Sequence, residues 1–88
     1  MRSENVTVRF EHGLHMRVAA QIAKIAQRFN AAVHIRKEGR PQANAGSILE
    51  IMSLGATAGE HLSVSADGPE KDEAVRAVTG LFDQGGGI

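Results

Sequence analysis

The segment Gly13-Leu14-His15-Met16-Arg17-Val18-Ala19-Ala20 places one imidazole where an alternating apolar pattern gives way to a helical one, with a guanidinium two residues on. An imidazole is partly unprotonated near neutral pH, so it is a competent nucleophile and a good leaving group from phosphorus. The first turn of a helix offers N–H groups without internal acceptors and the positive end of the helix dipole, both suited to a phosphate. Arg17 can add a charge-assisted hydrogen bond to the same oxygens. This combination suits transient phosphorylation, in which His15 accepts a phosphoryl group and hands it on.

A second candidate is Ser47, followed by Ile48, Leu49, Glu50, Ile51, Met52 and Leu54. Ser47 with Glu50 reads as an S-x-x-E capping box at the start of a short, unusually apolar helix. A serine phosphate is a stable ester, so this position suits a switch and not a relay. His12 and His15 form a His-x-x-His pair, but Gly13 lies between them and no third ligand is identifiable. His34 and His61 fall in separate strand patterns, so no metal site is expected. The glycines at 85 to 87 precede no helix and are not a phosphate loop.

These residues need positioning elements. Asn5 to Phe10 alternates, with Val6, Val8 and Phe10 on one side, as a half-buried strand does. From Met16 the period becomes helical: Val18, Ile22, Ile25, Ala26 and Phe29 make one stripe, with a stop at Asn30. Ala31 to Arg36 alternates again, and Pro41 to Asn44 reads as a short edge strand because Pro41 cannot donate to a ladder. Gly55 closes the apolar helix, and Thr57 to Glu60 is a loop. His61 to Ala66 is a further strand. Pro69 then opens a helix whose inner face is Val75, Val78, Leu81 and Phe82, and residues 84–88 read as a flexible tail. The order β-α-β-β-α-β-α predicts an α+β fold, an antiparallel sheet covered on one face by helices.

The totals narrow the function. A chain of 88 residues is expected to form one domain, 1–88, and small size with a balanced surface suggests a monomer. Ten basic and ten acidic side chains cancel, and there are three Phe but no Trp or Tyr, which argues against nucleic acid and anionic lipid as partners. With no cysteine there is no thiolate chemistry, disulfide framework or zinc-thiolate site. No apolar run approaches a membrane span and no signal-like region leads the sequence, so a cytoplasmic location is expected.

Two stretches together resemble the HPr family, the histidine-containing phosphocarriers of the bacterial phosphoenolpyruvate:sugar phosphotransferase system. Gly13-Leu14-His15-Met16-Arg17-Val18-Ala19 is similar to the family's G-[LI]-H-x-R-P-A. Ala43-Asn44-Ala45-Gly46-Ser47-Ile48-Leu49-Glu50-Ile51-Met52-Ser53-Leu54 is similar to its A-[ND]-x-[KR]-S-[IL]-x-x-[VIL]-[ML]-x-L. The resemblance implies an open-faced β-sandwich, a four-stranded antiparallel sheet under three helices. It implies that His15 takes a phosphoryl group on Nδ1 from enzyme I and passes it to sugar-specific IIA domains, with Arg17 stabilising the phosphate. It further implies that Ser47 is a regulatory site for HPr kinase/phosphorylase, and that Ile48, Leu49 and Met52 dock partners. Such a protein is a carrier and not an enzyme, and it needs no cofactor. The alternative is an HPr-like regulatory binding protein controlled mainly through Ser47 phosphorylation and acting on a transcriptional regulator. Val18 stands where the family has proline, and Gly46 where it has a basic residue. Glu50 puts an acid in a region often basic in the family.

Overall fold

The structure, a computed structural model, describes residues 1–83. The expected tail at 84–88 lies outside them. The elements are β1 (Arg2–Thr7), α1 (Met16–Ala26), β2 (Ala32–Arg36), β3 (Ala43–Asn44), α2 (Ile48–Ser53), β4 (His61–Asp67) and α3 (Lys71–Asp83). The strands form one sheet in the order β1-β4-β2-β3, antiparallel throughout. This is the predicted order of elements and the predicted open-faced architecture.

Register explains why one face is covered. Val6 pairs with Leu62, and Ile35 pairs with both Val64 and Ala43. Directly opposed residues share a face, so the alternation in each strand sums to one apolar side. Val33, Ile35, Leu62, Val64 and Ala66 are all buried there. The opposite face carries Ser3, Ser65 and His34 in one row and Asn5, Ser63 and Arg36 in another. Polar side chains satisfy that face in water, so it needs no second layer.

α3 lies over β1, β4 and β2, and α1 packs against α3 and α2. Val18, Ile22, Val75, Val78 and Phe82 are fully buried between the layers, and Phe10 meets Phe82 at 5.3 Å between ring centres. Each such side chain contributes roughly 1.5–3 kcal/mol by leaving water.

Boundaries differ from the sequence reading. The first strand already begins at Arg2, and the last helix begins at Lys71, with Pro69 in the turn before it. Three further differences bear on packing. The first strand ends at Thr7, short of Phe10. Val8 and Phe10 remain buried because Val8 continues the pairing onto a loop: its N–H donates to Glu60 O, and Gly59 N–H donates to Val8 O, both at 2.8 Å. Second, α1 ends at Ala26, leaving Ile25 and Phe29 only partly buried. The last turn tightens, with Arg28 N–H donating to Ile25 O, and Asn30 is instead tied across the fold. Its N–H donates to Glu70 Oε1 at 2.7 Å, and its carbonyl accepts from Glu70 N–H at 3.1 Å. Third, β3 is reduced to Ala43–Asn44, and Pro41 lies outside the ladder.

α2 is six residues long, too short to persist alone. Tertiary contacts hold it: Ile51 and Leu54 are buried, and α2 packs on α1 and β3. Beyond its C-terminus, Lys37 Nζ donates to Gly55 O at 3.1 Å, and Arg40 reaches Ser53 O at 3.4 Å. Cations there also complement the negative end of the helix dipole.

Candidate functional site

The loop before His15 is fixed by a close backbone approach. Gly13 has φ +71, and a Cβ there would lie 2.5 Å from Ala56 O and 3.1 Å from Thr57 Cα. Only glycine fits both the conformation and the space. Gly13 N–H donates to Phe10 O, and Leu14 N–H donates to Ala56 O. Leu14 is buried, so the loop is anchored on both sides of the glycine.

The 56–60 segment beneath is braced in turn. Glu60 Oε1 accepts from Thr57 N–H at 2.7 Å and pairs with Lys37 Nζ at 3.0 Å. These contacts, the Thr57 hydrogen bond foremost and then Lys37, hold the Glu60 carboxyl below its ordinary pKa.

His15 is the N-cap of α1, with φ −79 and ψ 173. Its carbonyl accepts the first helical hydrogen bond, from Ala19 N–H at 2.9 Å. Its ring makes no capping hydrogen bond and is half-buried, leaving it available for chemistry. Among the described residues no acceptor meets the amides of Met16, Arg17 and Val18, and the first turn has no acidic residue. The helix mouth is therefore an unneutralised donor array around one imidazole. Arg17 is exposed and makes no ion pair among the described residues. Val18 has a fully buried side chain, so this position serves the core while its N–H belongs to the site. A proline there would supply no such donor.

Ser47 caps α2 as expected, with Glu50 N–H donating to its Oγ at 3.3 Å. The reciprocal half of the capping box is absent. Glu50 Oε1 instead accepts from Asn44 N–H at 2.9 Å, because Ser47 N–H already donates to Asn44 O in the preceding turn. Glu50 therefore joins α2 to β3. Gly46 N–H donates to Asn44 Oδ1 at 2.8 Å, and its carbonyl accepts from Gln27, the C-cap of α1.

The apolar residues of α2 divide cleanly. Ile51 faces the core, whereas Leu49 is 81 % exposed and Ile48 and Met52 are each 37 % exposed. Met16, in the first turn of α1, is 65 % exposed and extends the uncovered apolar surface of the helical layer. Sequence periodicity missed Met16, although its place between His15 and Arg17, off the α1 stripe, was a usable signal. His34 and His61 stand on the open face of the sheet, where Thr7 Oγ1 is 3.2 Å from His61 Nδ1. They take no part in the helix mouth.

Such a domain is an open-faced sandwich with an imidazole at the N-terminus of a helix whose first-turn amides meet no acceptor among the described residues. Comparison with known proteins gives the class its family. The family model described as "PTS HPr component phosphorylation site" matches residues 2–84. Phosphocarrier protein HPr of Vibrio cholerae is 37 % identical over 84 residues, covering 96 % of this chain and 98 % of that protein. Phosphocarrier protein NPr of Escherichia coli is 32 % identical over 82 residues, covering 93 % and 91 %. The crystal structure of HPr-C-His from Thermoanaerobacter tengcongensis superposes with a TM-score of 0.93 at 32 % identity, covering 100 % of this chain and 98 % of that one. The chain belongs to the HPr family, the phosphocarriers of the bacterial phosphotransferase system.

Proposed function

We propose that the phosphoryl group is carried on His15, arrives from enzyme I and leaves to sugar-specific IIA domains. The observation that carries this reading is the half-buried His15, its ring making no capping hydrogen bond, at the head of three first-turn amides without acceptors among the described residues. In the forward step an unprotonated ring nitrogen attacks phosphorus, the new N–P bond forms, and the bond to the donor breaks with its electron pair. In the return step a nucleophile of the accepting domain attacks phosphorus, its new bond to phosphorus forms, and the N–P bond breaks with its electron pair leaving on the imidazole. The amides of Met16, Arg17 and Val18 and the Arg17 guanidinium stabilise the charge on the phosphoryl oxygens throughout. Ile48, Leu49 and Met52 form the partner-docking surface, with the partner burying the apolar side chains that α2 leaves in water.

Ser47 is the regulatory position in this reading. Its Oγ already accepts from Glu50 N–H, and a phosphate on it retains oxygens that can do the same. The added charge falls beside exposed Leu49, so it acts on docking and not on the fold. HPr kinase/phosphorylase is the modifying partner proposed for it. The protein works as a cytoplasmic, single-domain monomer.

The test is intact mass before and after mild acid, following incubation with enzyme I and phosphoenolpyruvate. One acid-labile phosphate, absent from His15→Ala, is the expected result. No phosphate on His15 despite a competent enzyme I, together with an acid-stable phosphate placed on Ser47 by ATP and HPr kinase/phosphorylase in a parallel incubation, transfers the role to regulation alone.

A further inference from the structure

The rings of His12 and His15 stand 6.4 Å apart, centre to centre, with their planes at 64°. The two residues flank Gly13 and Leu14, whose positive φ and backbone anchoring fix the loop between them, and His15 is the N-cap of α1. At this separation an oxygen of a phosphoryl group carried on one ring comes within hydrogen-bond reach of the other. His12 is 79 % exposed, and its nearest ionic neighbour, Glu11, is 3.8 Å from Nε2, outside hydrogen-bond range. Its ring donors are thus uncommitted among the described residues, beside the atom that receives phosphate in the reading above.

We propose that His12 is a second phosphate-binding side chain of this site: its ring donates a hydrogen bond to the phosphoryl group on His15, and its protonation is coupled to that group. The inference rests on the assignment of His15 as acceptor. An imidazole changes charge near neutral pH, unlike a guanidinium. Arg17 therefore supplies a constant attraction and His12 a pH-dependent one. A phosphoryl group brings negative charge and favours the protonated His12 ring. By reciprocity, a protonated His12 favours the phosphorylated carrier.

Other charged side chains on the same elements are Arg9 and Glu11 on the loop, Glu11 lying 3.8 Å from the His12 ring, and Arg17 on α1, while Glu60 with Lys37 braces the 56–60 segment on which Gly13 rests. These are present with and without phosphate. Their background is common to both states, apart from that of Arg17, which engages the phosphoryl oxygens.

The experiment follows the ring-proton NMR titration of His12, assigned by its loss in His12→Gln, in the free protein and in protein loaded by enzyme I and phosphoenolpyruvate. On phosphorylation of His15 the His12 midpoint is expected to move up by about half to one pH unit, the scale of one unit charge at close range in water. The transfer equilibrium then favours the carrier by about three- to tenfold more at acid than at alkaline pH in the wild type, relative to His12→Gln. An unmoved midpoint, in protein carrying one acid-labile phosphate on His15 by mass, overturns the proposal. So does a phosphate residing on His12 itself. If enzyme I does not load the protein, the relay reading fails separately. Phosphoramidate, which transfers its phosphoryl group to a ring nitrogen as ammonia leaves, then supplies the loaded state, and the same midpoint decides the role of His12.

Discussion

His15 and Arg17 are separable from the fold. Neither side chain is in the core, so His15→Ala should change stability by less than about 0.5 kcal/mol while abolishing the acid-labile phosphate. Thermal unfolding and intact mass on the same sample check both halves. Arg17→Ala should slow transfer to His15 by about 10- to 100-fold, the loss of one hydrogen bond from a charged donor. Rapid-quench phosphorylation measures it, and Arg17→Lys should recover only part, since a point charge replaces a fork of donors. Gly13→Ala belongs at the opposite extreme. A Cβ 2.5 Å from Ala56 O cannot be accommodated by a side-chain rotation, so a loss of roughly 2 kcal/mol or more is expected in urea unfolding.

At the scale of the element, α2 is the informative case. It has one hydrogen-bonded cap, one buried turn and two cations beyond its C-terminus, and its remaining apolar surface faces solvent. Ser47→Ala should cost about 1 kcal/mol, the usual loss of an N-cap. Ser47→Asp keeps an acceptor for Glu50 N–H and should leave the unfolding midpoint nearly unchanged while slowing phosphorylation of His15 by enzyme I. Equal rates for Ser47→Asp and wild type would remove the switch role. α1 shows the complementary design: its first-turn amides meet no acceptor among the described residues, while Val18 in that same turn is fully buried. Core packing thus fixes in place the donors that the chemistry needs.

For the whole molecule, the site depends on a brace remote from it in sequence. Gly13 and Leu14 rest on the 56–57 segment, which Glu60 and Lys37 hold in place. Because the folded state holds the Glu60 carboxyl below its ordinary pKa, the unfolded chain binds the proton more readily. This contribution to stability is therefore complete above about pH 4.5 and is lost as pH falls through the depressed folded value. Glu60→Gln should flatten that part of the acid limb of stability against pH, measured by urea midpoints between pH 3 and 6. An unchanged limb would show the brace to be dispensable.

Much of this was legible in the residues themselves. Alternation and helical stripes located three strands and the two long helices, because burial on one face imposes a period of two on strands and 3.6 on helices, while the short β3 and α2 were read from Pro41 and from the Ser47 cap. The two motifs singled out His15, Arg17 and Ser47 because helix starts have a local signature that needs no tertiary context. Boundaries were less legible. Val8 and Phe10 are buried like strand residues, yet a loop and not a strand partners Val8. Glu50 carries the signature of a capping box, yet Asn44 claims its carboxylate.

The amino-acid sequence alone determined the order of elements, the apolar face of each and the residue types at the two helix starts. All of these follow from local spacing and side-chain chemistry. Only the tertiary structure decided which side of α2 stays in water, where the Glu50 and Asn30 hydrogen bonds go, and that His12 stands beside His15 over the mouth of α1. Those outcomes depend on chain segments far apart in sequence competing for the same partners and the same space, and local spacing does not encode which one wins.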